Sequence, residues 1–129
     1  MMILNLTQHK ATPEQIADGV IDLCDSDRAF IANALTFEEC PDYSTIKSRA
    51  MYIAGMAASH SSGARSAMIG GAPYLMRELE QGLWLEHIRP LYAFSVRESV
   101  EHTNPDGTVE KKTVFRHSGW VGIEFAEPE

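Results

Sequence analysis

Ala67-Met68-Ile69-Gly70-Gly71-Ala72-Pro73, then a helix-like run, then Pro90-Leu91-Tyr92-Ala93-Phe94-Ser95-Val96-Arg97, is the stretch that decides the fold. It reads as strand, glycine turn, helix, strand, which is one crossover unit of a parallel sheet. Pro73 suits the first helical position, and Leu75, Met76, Leu79 and Leu83 recur at the spacing of a buried helix face. Ligands of such sheets bind outside the carboxyl ends of the strands. Two of these ends are visible, at Gly70-Gly71 and at Ser95 to Arg97. Neither turn opens with a carboxylate, which favours an anionic ligand.

The pattern extends toward the amino terminus. Ile3 to Leu6 is a short apolar strand running into the polar turn Thr7-Gln8-His9-Lys10. Thr12-Pro13-Glu14-Gln15 starts a helix, with Thr12 as cap, proline at the first position and Gln15 completing a capping box. Gly19 stops that helix, and Val20 to Cys24 is a second strand. Residues 25–40 read as a short helix followed by a loop. Residues 42–60 form the longest helical pattern, with Ile46, Ala50, Ile53 and Ala57 on one face. Ser59 to Gly63 ends it.

Beyond Ser95 the chain is β-rich. Arg97 to Thr103 and Thr108 to His117 flank Asn104-Pro105-Asp106-Gly107, whose proline and glycine mark a tight turn, so the pair is a hairpin. Gly119 to Phe125 is a candidate final strand. The expected architecture is a single Rossmann-like α/β domain over residues 1–129. Its sheet is mostly parallel and flanked by helices, with a carboxyl-terminal antiparallel β-hairpin over about 96–117.

The bulk properties suit one globular domain. A chain of 129 residues with 44% hydrophobic and 22% charged residues can bury a core without staples. No apolar run reaches the length of a membrane span, and the first residues lack the basic flank of a signal peptide. A cytoplasmic location is expected, with no membrane partner. Cys24 and Cys40 fit no zinc spacing and read as reduced thiols. The net charge of −7 argues against binding long nucleic acid. It leaves room for a small anion in a local basic pocket, since Arg89, Arg97, Lys111, Lys112 and Arg116 fall within residues 87–117.

Three groups carry candidate chemistry. Gly70-Gly71, with Ala72 opening the helix, lets backbone approach a ligand where amide donors and the positive helix end converge, as a phosphate requires. A plain tight turn explains the same glycines, and no full GxGxxG or Walker pattern is present. Thr7, Gln8 and His9 offer hydroxyl, amide and imidazole to a base, ribose or phosphate, and His9 can act as a general acid. An exposed polar turn is the alternative. Ser95, Arg97, Glu98 and Ser99 end the fourth strand, where Arg97 can clamp a phosphate; an Arg–Glu pair on a solvated hairpin is equally compatible. Arg116 on the return strand can add positive charge. No GxSxG elbow, HExxH pair or metal-ligand spacing occurs, so neither a metal site nor a cofactor is expected.

The order of these elements resembles a known family. A strand ending in a polar His turn, the Thr-Pro-Glu-Gln helix start, a helical middle, the Gly-Gly turn and Pro-Leu-Tyr-Ala-Phe-Ser come in turn. They are followed by Arg97-Glu98-Ser99-Val100-Glu101, Asp106-Gly107-Thr108-Val109-Glu110-Lys111-Lys112 and Val114-Phe115-Arg116-His117. Along its whole length this is similar to the small stand-alone CRISPR-associated ring nucleases, which are related to Rossmann-like sensor domains for cyclic oligoadenylates. Similar short proteins also occur among uncharacterised phage and prophage genes. The resemblance implies a homodimer holding a cyclic oligonucleotide, and metal-independent cleavage by a ribose 2′-hydroxyl. On that reading Gly70-Gly71 cradles a phosphate, Arg97 stabilises developing charge, and Thr7 to His9 contact ribose or base. Without alignment of the hydroxyl, the same residues would make a non-catalytic sequestering protein. A third reading is a small interaction protein with no ligand.

Overall fold

In the computed structural model, which describes residues 1–124, nine elements follow one another along the chain. They are β1 (Ile3–Asn5), α1 (Pro13–Ala17), β2 (Val20–Ile21), α2 (Asp25–Leu35), α3 (Tyr43–Ser59), β3 (Ser66–Met68), α4 (Pro73–Leu85), β4 (Arg89–Thr103) and β5 (Val109–Gly122). The five strands form one sheet in the order β2-β1-β3-β4-β5. The first four are parallel, and β5 returns antiparallel to β4. This is the expected Rossmann-like α/β fold with a carboxyl-terminal hairpin.

Local chemistry explains most boundaries. Thr12 and Gln15 form the full reciprocal capping box at α1. Asp42 caps α3 by accepting from the Thr45 amide at 2.8 Å, which holds its carboxyl below the usual range. The Asn104-Pro105-Asp106-Gly107 turn closes through Asn104 and Thr108, with Gly107 at φ 88°. The second strand is shorter than Val20 to Cys24. Asp22 leaves the ladder to accept side-chain and backbone hydrogen bonds, and Cys24 becomes the N-cap of α2.

The sheet separates two apolar clusters. On one face Leu4, Leu6, Ala67 and Ile69 meet the inner faces of α2, α3 and α4, including Ile31, Ile53, Leu75, Leu79 and Leu83. The predicted stripe Leu75, Met76, Leu79 and Leu83 is wholly buried; on α3, Ala50, Ile53 and Ala57 are buried and Ile46 is half-buried. Small residues let these two helices close together: a Cβ on Gly82 would lie 3.2 Å from that of Ala54. On the other face Ile3, Val20, Met68 and Leu91 are covered by Ala11 and Trp120. The alternation of side chains along β1 and β3 divides the core between the faces.

One boundary changes the geography of the molecule. The fourth strand does not end at Ser95 to Ser99. It runs unbroken from Arg89 to Thr103 beside β5, with a bulge opposite Phe94/Ser95. The expected final strand is likewise no separate element: Gly119 to Gly122 belong to β5, and Phe125 lies outside the described residues. β3 reaches only to Leu91 of β4, so from Ala93 onward the two strands project as a ribbon beyond the sheet.

Candidate functional site

The chain moves from β1 to β2 on one side and then crosses β1 to reach β3 on the other. The winding therefore reverses between β1 and β3, and the carboxyl ends of these neighbours splay apart into a crevice. Its volume is about 570 Å³, which suits a small ligand. Its walls are the Thr7 to Lys10 turn after β1, the Met68 to Gly71 turn after β3, and Tyr92 and Ala93 of β4. Thr12 and Gln15 close the α1 side.

Asn5 builds the first wall. It is 4% exposed, and its amide uses both ends. Nδ2 donates to the His9 carbonyl at 2.7 Å and to Asp22 Oδ1 at 2.9 Å. Oδ1 accepts from the Thr7 amide at 2.9 Å and the Thr7 hydroxyl at 2.6 Å. Asp22 Oδ1 also accepts from the Ala11 amide at 3.0 Å. One buried side chain thus ties the turn after β1 to the end of β2. The Thr7 hydroxyl spends its single proton on Asn5, so Thr7 shapes the turn, while Gln8, His9 and Lys10 are exposed on it.

The second wall is backbone. Gly71 has φ 156°, and a Cβ there would lie 3.3 Å from Met76 Cε and 3.6 Å from Leu35 Cδ2. Gly70 is roomier, with Thr7 Cγ2 at 3.7 Å from an added Cβ. Ala72 then serves as N-cap of α4. Its carbonyl accepts from the Leu75 and Met76 amides, and no side chain caps the helix. The start of α4 therefore presents its positive end beside the crevice. The third wall is Tyr92, whose hydroxyl donates to Glu80 Oε2 on α4 at 2.5 Å. Burial, reinforced by Glu80, raises the phenol far above its ordinary value.

None of the lining residues is Asp or Glu, and two, His9 and Lys10, can carry positive charge. For a chain of net charge −7 this is a local exception. A larger hollow of about 780 Å³ lies at the amino ends of β3 and β4, lined by Arg65, His87, Arg89 and Glu124 among others. There Arg89 is neutralised by Glu124 at 3.1 Å, and the nearby helix end is the negative end of α4. Of the two hollows, only the carboxyl-end crevice has no carboxylate in its lining.

The sequence groups the candidate residues differently from the structure. Thr7, Gln8, His9, Gly70 and Gly71 come together in the crevice, and Ala72 stands immediately behind it. Ser95, Arg97, Glu98, Ser99 and Arg116 do not line it. They lie on the ribbon, where Arg97 is about 13 Å along the strand from Ala93 at the usual rise per residue. Arg97 rests over the Phe115 ring at 5.5 Å, and Glu98 pairs with Arg116 across the strands. The reading of Arg–Glu pairing on a solvated hairpin therefore describes Glu98, with Arg116 as its partner. Lys10 and Tyr92 also line the crevice, and Asn5 and Asp22 build its wall, none of which the sequence singled out. The one available signal was Asn5, an amide within the apolar run Ile3-Leu4-Asn5-Leu6, since a buried amide must find partners.

Among the described residues no three His, Cys, Asp or Glu side chains gather as metal ligands, and no helix is long and apolar enough to cross a membrane. Cys24 and Cys40 are exposed and unpaired with each other.

Residues 1–121 match a family model described as the Uncharacterized protein MJ1673 family. The chain belongs to that family. No curated protein and no solved structure matches it. In this member of the MJ1673 family the match covers every element described above, the ribbon included, except the last residue of β5.

Proposed function

We propose that the protein binds a cyclic oligonucleotide second messenger in the β1/β3 crevice and opens the ring. The observation that carries the binding half is the lining itself. A crevice at the winding reversal has no carboxylate, an uncapped helix start, two glycines and a turn bearing His9 and Lys10. Backbone amides at a helix start and a nearby cation are the usual means of holding a phosphate. Gln8 and the Tyr92 ring add an amide and an apolar face for a base or sugar.

The cleavage half rests on the resemblance to ring nucleases. The ribose 2′-hydroxyl attacks the phosphorus of its own 3′-phosphodiester. The bond to the 5′-oxygen of the next nucleotide breaks, leaving a 2′,3′-cyclic phosphate and a 5′-hydroxyl. The hydroxyl proton passes to solvent, and the departing oxygen takes a proton from His9. Lys10 and the amides of the Gly70-Gly71 turn hold the charge that develops on the non-bridging phosphate oxygens. Such a reaction needs positioning and charge stabilisation more than a protein nucleophile.

One observation favours a second reading, sequestration without cleavage. Arg97, the expected charge stabiliser, stands on the ribbon away from the crevice of its own chain. Incubating the protein with a panel of cyclic oligonucleotides in EDTA, and resolving the products by mass, separates the readings. Linear products ending in 2′,3′-cyclic phosphate and lost in His9→Ala are expected. Intact ring co-eluting with the protein establishes sequestration. If nothing binds and nothing is cut, the proposal is wrong.

A further inference from the structure

The hollow at the amino ends of β3 and β4 plays no part in the chemistry proposed for the crevice, which lies at the other end of the same strands. Part of its lining is apolar, from Trp84, Leu85, Ile88 and Ile123, and Leu85 is left 60% exposed. The polar part holds Arg65, His87, Arg89 and Glu124. Arg65 precedes β3 and Arg89 opens β4. The Arg89 amide donates to the Arg65 carbonyl at 2.8 Å, so the two arginines leave adjacent backbone. Among the described residues the Arg65 guanidinium has no hydrogen bond or ion pair. Arg89 has one, to Glu124, whose side chain is 80% exposed. The Arg89 guanidinium lies against the Gly122 backbone, in the space a Cβ would fill.

His87 gives a second, independent observation. Its φ is 61°, the one positive φ outside glycine among the described residues. α4 ends in a Schellman motif, in which the Ile88 amide donates to the Leu83 carbonyl at 2.9 Å and the His87 amide to the Trp84 carbonyl at 3.0 Å. The left-handed position of that motif suits glycine, which has no Cβ to crowd the backbone. Here it carries an imidazole that is exposed beside the hollow and makes no hydrogen bond among the described residues. Strain of this kind points to a side chain with a task. The motif also takes up the Leu83 and Trp84 carbonyls, which blunts the negative end of α4 beside the hollow.

We infer that this hollow is a second binding site, for a phosphate monoester carried on a flat apolar group. Arg65, Arg89 and His87 supply more donors than the two oxygens of a carboxylate accept, and they suit the three terminal oxygens of a phosphate monoester. The volume, about 780 Å³, far exceeds a bare phosphate, so the ligand carries an organic body. The Trp84 indole and its apolar neighbours give that body a surface to pack on. Two arginines face one carboxylate here, in a chain of net charge −7. Glu124 is the stand-in for the ligand. It occupies Arg89 from an exposed position, and an arriving dianion displaces it from the guanidinium. The site stands whether or not the crevice takes a nucleotide.

Titration of the whole chain with phenyl phosphate, inorganic phosphate and phenol, followed by ¹H–¹⁵N NMR, tests it. Phenyl phosphate should shift the Trp84 indole N–H and the amides of Leu85, His87 and Ile123, with half-saturation about tenfold below that of either fragment at the same signals. Arg65→Ser should weaken binding about tenfold. Glu124→Gln should tighten it, because a competitor for Arg89 has lost its charge. His87→Gly should weaken binding while raising Tm by a few degrees, since glycine relieves the left-handed position. A merely structural histidine would give the rise in Tm without the loss of affinity. Absence of shifts at these four signals, shifts confined to Thr7 to Lys10 and Gly70-Gly71, weaker binding in Glu124→Gln, or unchanged affinity in His87→Gly overturns the inference.

Discussion

Replacing Asn5 by alanine is the sharpest test of how the crevice is built. The change removes two donors and one shared acceptor from a side chain that is 4% exposed. Four hydrogen bonds go: to the His9 carbonyl, to Asp22, and from the Thr7 amide and hydroxyl. A neutral bond contributes about 1 kcal/mol and one to a carboxylate about 2, so the gross loss is about 5 kcal/mol. Thr7 and Asp22 are only half-buried and can turn to water, and Asp22 keeps its bond from Ala11. The expected net loss is therefore about 3 kcal/mol. For a domain of this length that lowers Tm by roughly 10 °C. Urea and thermal unfolding read the number directly. Asn5→Asp sharpens the test, since it keeps the acceptor but sets a second carboxylate against Asp22. Repulsion holds the introduced carboxyl above its ordinary value. The variant should thus be nearest to wild type below about pH 4 and lose stability as pH rises. If Asn5→Ala costs less than about 1 kcal/mol, the turn is held by something else and the account of the first wall is wrong.

Other consequences follow from the same geometry. Gly70→Ala, whose added Cβ would meet only Thr7 Cγ2 at an ordinary contact distance of 3.7 Å, should leave Tm within a few degrees yet weaken phosphate-ligand binding, whereas Gly71→Ala meets Met76 and Leu35 and should cost about 1–2 kcal/mol of stability; differential scanning calorimetry beside ligand titration separates the two. Tyr92 keeps its proton in the folded state after the unfolded chain has lost it near pH 10, so wild-type stability should fall with rising pH above that point. Urea midpoints measured in that range should fall less steeply in Tyr92→Phe, and an unchanged slope would show that Glu80 and burial do not hold the phenol. His117 lies with its ring 4.7 Å from Trp120 and 2.8 Å from Asp18, joining β5 to the end of α1. His117→Ala should cost about 1–2 kcal/mol and speed amide exchange at Gly19 and Val20 before the α3–α4 core.

How much of the site was legible differs from residue to residue. Gly70, Gly71 and His9 were readable because a strand followed by a glycine or polar turn is a local signal, and strand ends of a parallel sheet collect at one edge. Arg97 was misplaced for an equally local reason. A strand that stops and a strand that continues into a hairpin arm share the same apolar alternation, and only pairing with β5 tells them apart. Tyr92 and Glu80 are 12 residues apart, and Asn5 and Asp22 are 17 apart. No spacing rule links such pairs, because their contact depends on how separate elements are stacked.

The sequence by itself determined the elements: the capping box at Thr12, the buried stripe of α4, the turn at Asn104 to Gly107 and the α/β class. These rest on interactions within a few residues, where propensity, capping and periodicity act. The tertiary structure alone decided the strand order, and with it the crevice between β1 and β3. It also decided which polar groups meet at Asn5 and how far the ribbon carries Arg97 from that crevice. Those outcomes come from long-range pairing and burial, whose energies appear only when distant segments share a sheet.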